Sequence, residues 1–229
     1  MQLVIGNKNY SSWSMRPWVL LKHFGIPFVE RKLRFDFNPG STFYAELASV
    51  TPAGKVPVLV EDDGFAVWDT LAIAEYLADR HPEHALWPRE ARLRARARSL
   101  CAEMHAGFGQ LRSLCPMNIE AELSELGPQL LQREPGLQRD LARVHALFED
   151  ALRASGGPFL FGAFGTVDAY FAPVVMRLRG YGLPMSDTVA GYAARMIEVP
   201  AVREWMDDAR AEHDFIADDE PYRPAPSKT

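Results

Sequence analysis

The chain has 229 residues, 48% of them hydrophobic, and carries 25 basic against 30 acidic side chains, for a net charge of −5. That is enough apolar material for one large domain or two small ones. The mild acidic excess gives no global electrostatic pull toward nucleic acid or an anionic membrane, so neither is expected as a partner.

No apolar run approaches the ~20 residues of a membrane span. The start, "MQLVIGNKNYSSW", lacks a basic segment followed by a long apolar one, so no secretory leader is expected. The two cysteines, Cys101 and Cys115, fall in apolar, helical-looking surroundings and belong to no Cys-x-x-Cys pair. They read as buried thiols of a reducing compartment, and the chain reads as cytoplasmic.

In chain order, "QLVIG" reads as a short buried strand and "SMRPWVLLKHFG" as a helix stopped by Gly25, with Pro17 in its first turn. "FVERKLRFDF" alternates over Val29 to Leu33 as a strand with one solvated face. The segment around 38 to 50 is ill defined. "KVPVLVED" and "GFAVWD" are strands joined by the hairpin signal Asp62-Asp63-Gly64, and "TLAIAEYLADRH" is a helix. From about residue 90 helical periodicity takes over. "REARLRARARSLCAEMHAGFGQLRSL", "LQRDLARVHALFEDALRASGG", "TVDAYFAPVVMRLRGYG" and "PAVREWMDDARAEHDF" each read as a helix, the third bent at Pro173. The expected layout is an α/β domain over 1–80, an all-α domain over 90–215 and a tail over 216–229, with the polar end "YRPAPSKT" expected to be mobile.

Between the first strand and first helix stands "NYSSWSMRPW", with hydroxyls at Tyr10, Ser11, Ser12 and Ser14. A helix start presents unpaired N–H groups and partial positive charge. A thiolate is stabilised there, and a serine hydroxyl can donate a hydrogen bond to its sulfur. Ser11 and Ser14 have the spacing of a Cys-x-x-Cys pair with serine at both ends, so only a thiol brought by a ligand could be activated. Helix capping is the ordinary role of such serines.

Two further motifs shift the balance. In "TPAGKVPVLVEDDG" a proline opens a strand, where it lacks the ladder donor. A cis Val56–Pro57 bond would resolve this, leaving Val56 free to pair with an extended peptide. In "WDTLAIAEYL", Thr70 is a plausible N-cap. Thr70 at the helix start could hold a ligand carboxylate, and Asp69 an ammonium.

Together these residues resemble the soluble glutathione transferases, over nearly the whole chain. "SSWSMRPWVLL" looks like the Ser-Ser-Cys-x-x-Arg segment of the zeta class, with Trp13 at the cysteine position. "TPAGKVPVL" and "WDTLAIAEYL" look like the family's Asn-Pro-x-Gly-x-Val-Pro-x-Leu and Glu-Ser-x-Ala-Ile-x-x-Tyr-Leu motifs. The resemblance implies a thioredoxin-like α/β domain followed by a helical bundle, a homodimer, and glutathione as co-substrate with no metal. By position it implies Ser11 as the thiol-activating hydroxyl and Ser12, Trp13, Lys55, Val56, Pro57, Asp69 and Thr70 as glutathione-binding. Tyr10 is the rival activator, and Tyr10, Met104, His105 and Phe108 are candidates for the pocket of a small hydrophobic electrophile. Trp13 in place of cysteine counts against zeta-type isomerisation. In "FLFGAFGTVDAYFAPVV", Gly165 takes the place of the family's capping serine, and Asp168 reads as structural. None of the six histidines forms a metal pattern. The arginines at 89, 92, 94, 96 and 98 spread around a helix, as a solvated or dimer-contact surface does.

Overall fold

The computed structural model describes residues 1–225. The first part is a four-stranded mixed sheet of β1 (Gln2–Ile5), β2 (Val29–Lys32), β3 (Val58–Val60) and β4 (Ala66–Val67), with helices α1 (Ser12–His23), α2 (Thr42–Ala48) and α3 (Thr70–Arg80). The strand order is β2-β1-β3-β4. β1 runs parallel to β2 and antiparallel to β3, with Leu3 opposite Glu30 and Val4 opposite Val58; β4 is antiparallel to β3. Alternation along β1 divides the core in two. Leu3 and Ile5 join the large core shared with α1, α3 and the helical part. Val4 and Val58 face a smaller core with Leu33, Phe35, Phe43 and Leu47.

The second part is helical: α4 (Ala91–Ala106), α5 (Gly109–Leu114), α6 (Leu126–Arg133), α7 (Pro135–Ser155), α8 (Thr166–Gly180), α9 (Asp187–Glu198) and α10 (Pro200–Ala211). α8 is its centre, buried from Thr166 through Leu178, and packs on α1 and α4. α10 also packs on α1, with Trp205 edge-on to Trp18 at 5.3 Å. Among the described residues no helix is long and apolar enough to cross a membrane.

Several expectations need correction. The segment left undefined holds α2, a helix of under two turns anchored by Phe43 and Leu47. Pro17 lies inside α1 rather than in its first turn, because the helix already begins at Ser12. The single helix expected over 89–114 is two. Gly107 and Phe108, the latter at φ +54°, break the chain, and Asp140 of α7 accepts the Gln110 and Leu111 N–H groups at 3.0 Å to start α5. α6 and α9 were not expected at all. The segment after α10 is no loose tail either. Ile216 enters the smaller core, Ala217–Asp219 forms a 3-10 turn, and the Tyr222 hydroxyl donates to Leu114 O at 2.8 Å. Of "YRPAPSKT", Tyr222 and Arg223 hydrogen-bond to Leu114 and Glu220, and residues 226–229 lie outside the described residues.

At the start of α8, Gly165 is the cap and its N–H donates to Asp168 Oδ2 at 3.1 Å. Asp168 Oδ1 accepts from Leu160 N and from the Tyr192 hydroxyl at 3.1 and 2.9 Å. Burial holds this carboxyl up at about 6 despite those donors.

Candidate functional site

The turn Asn7–Tyr10 joins β1 to α1, and the rest of the chain saturates it. Asn7 O accepts from Tyr10 N and Ser11 N. Glu212, just after α10, accepts from the Lys8 and Asn9 N–H groups through its two carboxylate oxygens. Asn9 Oδ1 accepts from Ile119 N and Glu120 N, and its amide donates to Asn118. The Lys8 ammonium is buried between Glu30 and Asp208, 4.4 Å from the Trp18 ring. The α1 start is therefore held from the helical part of the molecule.

Ser11 occupies the cap position of α1, but its hydroxyl caps nothing. It donates to Ser14 Oγ at 2.6 Å, and Ser14 Oγ also accepts from Gly6 N. Among the described residues the N–H groups of Trp13 and Ser14 have no acceptor, so the helix start keeps donors for an anion. Ser12 turns toward α8, where its oxygen accepts from Arg177 Nη2 at 3.2 Å. The Trp13 ring lies against the helical part, 5.3 Å from the His105 ring and 6.5 Å from that of Tyr170.

The Val56–Pro57 peptide is cis, as is Trp68–Asp69. β3 begins at Val58, opposite Val4, so Val56 stands two residues ahead of the strand. The Val56 N–H and C=O make no backbone hydrogen bond among the described residues, which leaves an edge for an extended peptide. Lys55 is exposed beside it. The cap of α3 is Asp69, not Thr70: the Asp69 carboxylate accepts the Leu71 N–H at 2.9 Å, and Thr70 is the first helical residue. Asp69 Oδ1 also lies 3.6 Å from His105 Nδ1.

Of the four residues named for the electrophile pocket, three are buried. Met104 has no exposed surface, and Phe108 is buried in the core. Tyr10 faces away, into the smaller core, with its hydroxyl 2.6 Å from Glu220 Oε1 and 3.0 Å from Asp214 O. Burial and Glu220 push its phenol up to about 12, so it stays protonated and engaged. His105 is half-exposed, with Nδ1 3.0 Å from the Tyr170 hydroxyl.

The description "Glutathione S-transferase, N-terminal domain" fits residues 10–80, and its C-terminal counterpart fits residues 120–208. The chain belongs to the glutathione S-transferase family. Glutathione S-transferase 1 of Dianthus caryophyllus is 26% identical over 189 residues, spanning 82% of this chain and 81% of that protein. Maleylacetoacetate isomerase of Rattus norvegicus is 25% identical over 76% of each chain. The solved glutathione transferase homolog from Burkholderia gl BGR1, described with bound glutathione, superposes with a TM-score of 0.69 at 23% identity, covering 92% of this chain and 98% of that one. The sheet-plus-helices part is thus the thioredoxin-like unit of a glutathione S-transferase, followed by its all-helical unit.

Neither thiol of this glutathione S-transferase is placed for attack. Cys101 and Cys115 are free and buried; burial pushes both upward, Cys115 to about 12. Among the described residues no three His, Cys, Asp or Glu side chains gather as a metal site. Sequence reading gave no role to Arg112 and Arg177 and met Arg16 only as the last residue of the Ser-Ser-Cys-x-x-Arg match; Arg16 and Arg112 lie by the Trp13 ring, and Arg177 bonds Ser12. An arginine inside the apolar run of α1 was the available signal, since such a residue is rarely buried without a task.

Proposed function

We propose that the protein binds glutathione and activates its thiol for attack on a small electrophile. The observation that supports this most is the start of α1. Free N–H groups and the Ser11 hydroxyl lie there, and the Val56 backbone is left unpaired. Glutathione lies extended along Val56, with its γ-glutamyl end at Asp69 and Thr70 and its glycyl carboxylate within reach of Lys55. The thiol proton leaves to solvent. Ser11 rotates its hydroxyl from Ser14 to the sulfur and stabilises the thiolate, which forms a bond to the electrophilic carbon as the leaving group departs or the π pair moves away.

Isomerisation is the second reading. It is supported by relatives named maleylacetoacetate isomerase and opposed by Trp13 at the zeta-class cysteine position. The protein works in the cytoplasm as a homodimer. Exposed Phe65, Trp68 and Leu93, and a hollow of about 590 Å³ between α4 and α7, suit a face that a second copy covers.

Ser11→Ala tests the thiol role. Its expected result is near-normal glutathione affinity with turnover lowered by about 10²–10³. Wild-type turnover in that variant rejects Ser11 as activator. Failure of the wild-type protein to bind glutathione in calorimetry rejects the reading as a whole.

A further inference from the structure

Ser11 and Ser14 face each other at the start of α1 as a pair of hydroxyls with one hydrogen too many. Their oxygens are 2.6 Å apart, which leaves room for one hydrogen between them, and either residue can supply it. Ser14 Oγ also accepts from Gly6 N at 3.2 Å. Among the described residues the two hydroxyls have no other hydrogen-bond partner. When Ser11 donates inward, the Ser14 hydrogen is left without an acceptor, and Ser14 is fully buried. A buried donor left over costs about 1–3 kcal/mol. When Ser14 donates instead, the spare hydrogen belongs to Ser11, which is 5% exposed.

The pair is tied to the sheet. Gly6 follows β1 directly, and its N–H can only donate, so Ser14 Oγ has to accept there. At an ordinary helix start the cap hydroxyl accepts the N–H of the third helical residue. Here that residue is Ser14, and its side chain, not its N–H, engages Ser11. The Ser14 N–H therefore stays free beside the Ser11 oxygen, and both can serve one anion.

We infer that Ser14 is a positioning residue for thiol activation. With a thiolate at the helix start, both O–H bonds turn about their C–O bonds. Ser14 then donates to Ser11 Oγ, and Ser11 donates to the sulfur. No covalent bond changes, and each oxygen keeps its own hydrogen. The result is one line of donors, from Gly6 N–H through Ser14 and Ser11 to the thiolate. Each bond polarises the next by about 10–30%, which makes Ser11 a stronger donor than a lone serine. This inference rests on the proposed function for the identity of the thiolate. It adds a residue that sets the acidity of that thiol without touching it.

Ultraviolet absorption of the thiolate, followed against pH in the glutathione-saturated protein, tests it. Ser14→Ala is expected to move the midpoint of thiol ionisation upward and to lower the thiolate fraction below that midpoint about 3–10-fold. Its kcat should fall at low pH and return toward wild type at alkaline pH, whereas a merely displaced Ser11 lowers kcat at every pH. In the Ser11→Ala background, Ser14→Ala is expected to leave the midpoint in place, because Ser14 acts through Ser11. If Ser14→Ala fails to fold by circular dichroism, Ser14→Cys takes its place, with the signal read as the difference made by glutathione. An unmoved midpoint in the folded variant overturns the inference, as does an upward shift that persists without the Ser11 hydroxyl. A midpoint that moves in Ser11→Ala but not in Ser14→Ala overturns this inference and leaves the transferase reading. A wild-type protein that binds no glutathione overturns both.

Discussion

Glu212 Oε1 accepts the backbone N–H of Lys8 at 2.9 Å, although 204 positions separate the two residues. The other oxygen takes Asn9 N at 3.1 Å, and Lys32 adds its ammonium at 2.9 Å. A side chain amide at 212 would turn an NH₂ group toward one of those N–H donors. Glu212→Gln is therefore expected to cost about 1–3 kcal/mol of stability in urea unfolding. It should also lower kcat while changing KM for glutathione by less than about twofold, because the turn it holds ends at Ser11. An unchanged urea midpoint would show that this carboxylate is not what holds the turn.

Tyr10→Phe separates the two hydroxyl candidates. The Tyr10 phenol sits on Glu220 and Asp214, so its removal should leave turnover within about twofold. Stability should fall by about 1–2 kcal/mol. The folded phenol is raised to about 12 from 10.0, so its stabilisation is complete below about pH 10 and lost as pH rises through 12. The variant, followed by denaturant unfolding across that range, should lack this part of the alkaline decline.

A third test uses Asp168, whose folded carboxyl is raised to about 6 from 3.8. A raised acid stabilises fully below its unfolded value and loses that contribution as pH rises through the folded one. The wild-type protein should thus lose stability relative to Asp168→Asn between about pH 4 and pH 6, by a margin on the order of 3 kcal/mol. Unfolding free energies of both proteins across that interval read the slope. A constant difference would show that Asp168 is ionised throughout.

Met104 and His105 are neighbours in sequence with opposite expected outcomes. Met104→Ala leaves a void in a closed core and should cost about 2–5 kcal/mol with little change in KM for the electrophile. His105→Ala, at a half-exposed ring against Trp13, should stay within about 1 kcal/mol of wild type and change that KM.

What the sequence revealed and what it hid follow from the range of the forces involved. The strands, α1, α3, α7 and α8 announce themselves through periodicity and turn residues, as in Asp62-Asp63-Gly64 and at Gly156. The cis peptide before Pro57 was readable because proline at a strand start has few other solutions. α2 escaped because Phe43 and Leu47 alone anchor it, and the break before α5 because it depends on Asp140 from another helix. Tyr10 and Ser11 are adjacent in sequence, and local pattern could not say that one joins the C-terminal segment while the other faces the helix start. The three arginines were invisible as a group because α1, α5 and α8 each contribute one.

The bonds from Asn118, Glu212 and Glu220 into the Asn7–Tyr10 turn bear on how such a molecule can be rebuilt. The two units of this chain are not interchangeable modules. A chimera that grafts residues 1–80 onto the helical unit of a relative would inherit Ser11 and lose the acceptors that set its position. A transplant that keeps the site intact has to include Glu212 and Glu220, far from the serine in sequence and bonded to the turn that precedes it.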